Sequence, residues 1–148
     1  MKAPSEIVKN LLVTAGAGVY GDATATWPLY VSSEPEAPDQ VLTVYDDDTT
    51  HGDALRRSFP VWGQAMVQIR VRCNDYVTGY TKAIAVLRSL AGTAAFVQAA
   101  TATELLAGEH DIRYHSFGVV NGPNYIGKDE SGRCLFTGNI RVSKEELL

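Results

Sequence analysis

Two hydrophobic periods meet in the middle of the chain. From Met66 to Cys73 apolar and polar residues alternate, which places Val67, Ile69, Val71 and Cys73 on one face and Met66, Gln68, Arg70 and Arg72 on the other. The alternation stops at Asn74-Asp75, and Tyr76, Tyr80, Ala83, Ile84, Leu87 and Leu90 then recur three or four positions apart. This is a half-buried strand feeding a helix, with Asn74 or Asp75 as N-cap and Gly92 as the stop. If the helix folds back on the strand, Tyr76, Tyr80, Ile84 and Leu87 are expected to pack on Val67, Ile69 and Val71.

Weaker patterns organise the rest. Ser5 is the expected cap of a first helix with Ile7, Val8, Leu11, Leu12 and Ala15 on one stripe, ended by Gly16 and Gly18. Trp27 to Ser32 and Gln40 to Tyr45 read as strands, because the intervening Glu34-Pro-Glu-Ala-Pro-Asp39 forbids a helix. Residues 46 to 59 carry no hydrophobic period and predict a long acidic loop, and Thr101-Ala-Thr-Glu104 predicts a short capped helix. A strand from Ile112 to Val120 should break at Asn121-Gly-Pro123. Tyr125 to Lys128 and Cys134 to Val142 then form a hairpin, with Gly132 in the left-handed position of its turn. The expected fold is α+β: a mostly antiparallel β-sheet with two main helices packed on one face.

Composition narrows the class. The 148 residues suit a single domain over 1–148, long enough to bury roughly 70 per cent of the unfolded surface. Cys73 and Cys134 fall inside strand patterns without metal-ligand spacing, so they are expected to be reduced packing residues. No segment approaches the roughly 20 apolar residues of a membrane span, which predicts a soluble protein made in a cytoplasm. The net charge of −4 is unevenly placed: residues 1 to 55 hold nine acidic and two basic side chains, the remainder eight acidic and eleven basic. The acidic part disfavours sequence-specific nucleic-acid binding, and the asymmetry suits copies that meet head to tail.

Candidate chemistry is sparse. Gly16-Ala-Gly-Val-Tyr-Gly21 matches a dinucleotide fingerprint in letters but leads through Pro28 into a β-rich segment instead of opening a helix, so it reads as a glycine-rich helix exit. Asp46, Asp47 and Asp48 with His51 lack the spacing of a calcium loop, and His51, His110 and His115 fall in separate segments. No catalytic, metal or cofactor set is assigned. The candidates for a subunit or partner interface are Asp46, Asp47, Asp48, Arg56, Arg57, Arg70, Arg72 and Arg141. Arg70, Arg72 and Arg141 belong to the polar strand face opposite the helices, either as solvated charges or as a surface for another subunit or passing DNA. On that placement, exchanging Arg70 and Arg72 for Glu should leave the fold intact.

Three stretches carry a resemblance. They are Trp27-Pro-Leu-Tyr-Val31 with Val41-Leu-Thr-Val-Tyr-Asp46, then Val67-Gln-Ile-Arg-Val-Arg-Cys-Asn-Asp-Tyr-Val-Thr-Gly-Tyr80, then Gly122-Pro-Asn-Tyr-Ile-Gly-Lys-Asp-Glu-Ser-Gly-Arg-Cys-Leu-Phe-Thr-Gly-Asn-Ile-Arg-Val142. Together they resemble the tail terminator or minor capsid (head-tail joining) proteins of long-tailed bacteriophages, over nearly the whole chain. The resemblance implies a homo-oligomeric ring, typically a hexamer, that sits on the finished tail tube, stops its polymerisation and presents an attachment surface to the head connector or stopper protein. It also implies a place in the virion at the head-tail joint after assembly in the host cytoplasm, with phage DNA passing through the ring without sequence-specific binding. The family offers no catalytic residues, and the run from Asp46 to Asp53 is more acidic than it leads one to expect. The alternatives are a head-side neck or tail tube subunit of related fold, or a small metal-dependent enzyme built on Asp46, Asp48, His51 and Arg56.

Overall fold

The computed structural model describes residues 3–47, 61–91 and 111–147, and the side chains of all these except 61–64, 111–116 and 144–147. The elements in chain order are α1 (Pro4–Thr14), β1 (Val19–Tyr20), β2 (Pro28–Val31), β3 (Val41–Asp47), β4 (Val61–Cys73), α2 (Tyr76–Ala91), β5 (Asp111–Lys128) and β6 (Cys134–Leu147). The strands form one sheet in the order β1-β2-β3-β4-β6-β5. β1 and β2 pair parallel, as do β2 and β3, and the pairings β3/β4, β4/β6 and β6/β5 are antiparallel. This is the expected α+β architecture, with both helices on one face.

The alternation in β4 sets the core. Val67, Ile69, Val71 and Cys73 are buried beneath the helices, level with Leu42 and Val44 on β3 and with Cys134, Phe136 and Ile140 on β6. α1 covers β2 to β4 with Ile7, Val8, Leu11 and Leu12, and α2 covers β4 to β6. Cys73 and Cys134 are free, buried and directly opposite each other in the ladder.

Helix α2 buries Ala83, Leu87 and Leu90 as expected, but the rest of its buried stripe is rotated. Its buried residues are Gly79, Ala83, Val86, Leu87 and Leu90, while Tyr76 and Tyr80 are exposed along its flank. Backbone approach explains the rotation. A Cβ at Gly79 would lie 2.6 Å from Phe136 Cε2, and a Cβ at Gly138 would lie 2.8 Å from Leu87 Cδ2. Each element therefore supplies one large side chain and one glycine that receives the other's. Leu87 lies against Gly138 of β6 and Gly122 of β5.

Other expectations need correction. The two strands flanking the proline-rich segment are parallel, so Ser32–Gln40 is a crossover connection and not a simple loop, and the two-residue β1 beside them carries no sequence signal of its own. β5 runs on from Asp111 to Lys128 through Asn121-Gly-Pro123, absorbing the irregularity as register shifts instead of breaking into two strands. Asp46 and Asp47 belong to β3 rather than to a loop. Ser5 lies within α1 and is not its cap. Its backbone N–H donates to Asp46 Oδ1 at 2.9 Å and its hydroxyl to Asp46 Oδ2 at 2.6 Å. Asp46 thus serves an unpaired donor at the positive end of the helix from a distant strand. The expected loop from Asp48 to Phe59 and the short helix after Thr101 lie outside the described residues.

The interlock predicts two outcomes. Leu87→Ala should lower stability by about 2 to 5 kcal/mol, measured by urea denaturation. Gly79→Ala should also lower the midpoint, because crowding costs about 1 to 3 kcal/mol and outweighs the gain of about 1 kcal/mol from the better helix former.

Candidate functional site

The sheet face opposite the helices is covered in part by the chain itself. The crossover Ser32–Gln40 passes over it, and Arg72, on the polar side of β4, reaches up into the crossover. Its Nη2 donates to the carbonyl oxygens of Pro35 at 2.7 Å and Pro38 at 2.6 Å, and more weakly to Glu36 at 3.3 Å, while Nε donates to Asp39 O at 3.3 Å. Glu34 lies 3.5 Å from Arg72 Nη1 and 3.8 Å from Arg70 Nε. Burial lowers the Arg72 pKa, and the Glu34 carboxylate acts against that shift. Arg133 adds a second tie: its Nη1 donates to Glu36 O and lies 3.3 Å from Asp39 Oδ1, and its Nε donates to Asp129 Oδ2 at 2.7 Å. Two prolines deprive the crossover of backbone donors, and its carbonyls find theirs in two arginine forks.

The sequence candidates are dispersed by this arrangement. Arg72 is only 3 % exposed and bonded within the chain, so its expected place on a solvated face does not hold. Arg70 is partly covered beside Glu34. Arg141 is exposed on β6, opposite Met66 of β4 and Gly118 of β5. Asp46 serves α1, and Asp47 ends β3 opposite Met66. Asp48, His51, Arg56 and Arg57 lie outside the described residues, and so does the enzyme-like grouping that depends on them. Among the described residues no group of three or more His, Cys, Asp or Glu side chains is placed to hold a metal ion, and no helix is long and apolar enough to cross a membrane.

Exposed apolar residues are distributed more tellingly than the charges. Among the described residues, every large exposed hydrophobic side chain sits at one end of the sheet or the other. At the β1 end these are Val13, Val19 and Tyr20, with Lys9 Nζ 4.3 Å from the Tyr20 ring centroid. At the β5 end, Val119, Val120, Tyr125 and Ile126 follow the edge strand, and Tyr76, Val77 and Tyr80 project from the first turns of α2. Phe136 is fully buried at the centre of this second patch. Tyr125 and Tyr76 meet edge to face at 5.0 Å, Tyr76 and Phe136 at 5.2 Å, and Tyr76 stacks on Tyr80 at 6.2 Å. Val77 (68 %) and Ile126 (53 %) are the most exposed apolar side chains at this end, so the aromatic cluster belongs to an end of the sheet with much apolar surface in solvent. Periodicity assigned Tyr76 and Tyr80 to the core. Only Gly79, three positions into the helix, hinted that a smaller residue faces the sheet.

The turn that ends β5 is pinned by Asp129. Its Oδ1 accepts the N–H groups of Arg133 at 2.9 Å and Ser131 at 3.0 Å, and Gly132 takes the expected left-handed conformation with φ +79. The Arg133 amide is the main reason that the Asp129 pKa falls below the usual aspartate range. Glu130 stands exposed at the tip.

A family model described as bacteriophage tail terminator protein matches residues 11–146, and the chain belongs to that family. The family is structural rather than enzymatic, and membership implies a place in the virion and interaction with tail and head components. No curated protein gives a significant match to the chain.

Two tests bear on this geometry. Arg72→Met should destabilise the protein by about 3 kcal/mol, because it strips a largely covered carboxylate and several carbonyls of their donor, whereas Arg70→Met should cost clearly less. Denaturation curves of the two variants give the comparison. Because the folded Asp129 pKa is depressed, its bonds contribute fully above the ordinary aspartate range and are lost as pH falls through the lower folded value. The Ser131 and Arg133 amide resonances should therefore hold their positions through the usual range and move only in stronger acid.

Proposed function

We propose that this tail terminator assembles into a closed ring of copies, six on the family pattern, which sits on the completed tail tube, blocks further tube polymerisation and offers its free face to the head connector or stopper protein. The observation that carries the proposal is the presence of two dissimilar apolar surfaces at opposite ends of one sheet. A subunit of this kind joins its copies head to tail, and such contacts close into a ring when the rotation between neighbours divides the circle. A ring has two unlike faces, one to cover the end of the tube and one to receive the next component. Charge favours the same head-to-tail encounter, because Lys9 and Lys82 stand at the β1 end and Glu130 is exposed at the β5 end. Of the charged candidates, the exposed Arg141 is the one we assign to partner contact. Phage DNA passes through the ring, and nothing in this reading requires its sequence to be recognised.

Electron microscopy of particles assembled without this protein is the direct test. Overlong tails and heads without tails are expected, and tails of normal length joined to heads would overturn the proposal. Head-tail joints that fail on tails of normal length would instead favour a head-side neck role. Ring formation by the purified protein should also slow as salt rises toward 1 M, where the screening length falls to about 3 Å.

A further inference from the structure

The β1 end holds a groove of about 350 Å³ between the end of α1, the Gly16–Val19 exit and α2. Val13, Ala17, Val19 and Trp27 make its walls, and Lys82 brings a charge into its lining. The Lys82 ammonium is half-buried, 5.1 Å from the Trp27 ring centroid. Burial lowers its pKa, and no carboxylate among the described residues offsets the effect. Contact with an aromatic face recovers only part of the hydration that such a cation gives up. The groove joins an apolar lining to one cation and lies beside the exposed β1 edge, which is the chemistry of a receptor for a carboxylate carried on an apolar support.

The opposite end of the same molecule carries such a group at the same level. One row of paired residues crosses the whole sheet, from Tyr20 through Leu29, Leu42, Val71 and Phe136 to Tyr125. The exposed tyrosines of the two patches are therefore the two ends of a single row. Just beyond Tyr125 and Ile126 lies the β5–β6 turn, where Asp129 is committed to Arg133 and Ser131 while Glu130 is exposed. Copies placed side by side at one height bring this turn to the neighbour's groove.

We infer that adjacent copies of the chain join β5 end to β1 end, with the β5–β6 turn of one copy docked in the groove of the next and its Glu130 carboxylate paired with Lys82. This rests on the ring proposed above and names its seam. The pairing neutralises the groove cation at a site that association dehydrates, and Ile126 and Tyr125 cover Val19 and Tyr20 beside it. It also gives the contact a direction, because the groove and the turn are different surfaces of one molecule.

Charge exchange tests the seam. Lys82→Glu and Glu130→Lys chains should each assemble at least tenfold more weakly than the wild type in sedimentation and electron microscopy, with unchanged circular dichroism. Mixing the two variants should restore rings. In an alternating array the cationic turn of each E130K chain meets the anionic groove of a K82E chain, and the remaining seams pair a native turn with a native groove. Should Lys82→Glu fail to fold, Lys82→Cys chains mixed with Glu130→Cys chains provide a second readout, since Cys73 and Cys134 are buried. Oxidation is then expected to link one variant to the other. Wild-type assembly by both single variants, a mixture that stays unassembled, or the absence of that cross-link overturns the seam. The ring reading itself fails if the wild-type protein forms no rings or if tails made without it keep their normal length and join heads, so the two failures are distinguishable.

Discussion

Helix α2 and strand β6 are held by an exchange of large and absent side chains. Phe136 enters the space left by Gly79, and Leu87 enters the space left by Gly138. Two such contacts, along one helix and one strand, define both the height and the rotation of α2, because a slip along either element would set a ring or a branched side chain against a backbone. The consequences spread outward. Rotation of α2 places Tyr76 and Tyr80 on its flank, where they surround Phe136 and build the aromatic platform of the β5 end. It also carries Lys82 toward Trp27 and so brings a charge into the groove at the β1 end. Both surfaces that we assign to association thus depend on one packing decision in the core.

A second constraint acts on the other side of the sheet. Parallel pairing of β2 with β3 demands a crossover, and here the connection is too short and too rich in proline to be a helix. Its carbonyls would face a sheet surface without donors were it not for Arg72 and Arg133. A buried guanidinium is a weak source of stability once its desolvation is counted, but it is selective, because few other arrangements satisfy so many donors at once. Arg133 extends the brace to the β5–β6 turn. The turn that carries Glu130 is therefore supported by the body of the protein and does not hang from the end of a ribbon.

The sheet then acts as a ruler between two unlike ends. A row of paired strands from Tyr20 to Tyr125 keeps them at a constant separation, which the ring we propose needs for its circumference to match a tube. Compact residues such as Ala83 on α2 and Gly138 beneath it keep that layer thin, while the exposed groups at its edges are aromatic or β-branched and lose little rotamer freedom when covered.

Local order was legible along the chain because it depends on neighbours in sequence. The strand-to-helix switch at Asn74-Asp75, the α1 stripe, the glycine in the β5–β6 turn and the α+β class all follow from periodicity and turn chemistry. The family was legible too, in stretches that the matched region contains. Tertiary structure decided the rest. Periodicity marks apolar positions but does not say which of Gly79 and Tyr80 faces the sheet, because that depends on Phe136 and Leu87 arriving from a strand and a helix far apart in sequence. Alternation placed Arg72 on a polar face but could not show the crossover that buries it, since parallel pairing of β2 with β3 leaves no local signature. Asp46 looked like part of a solvated acidic run until the start of α1 was brought to it. Charges announce themselves in a sequence, but whether each meets water, a carbonyl or a carboxylate is settled only by what the fold lays beside it.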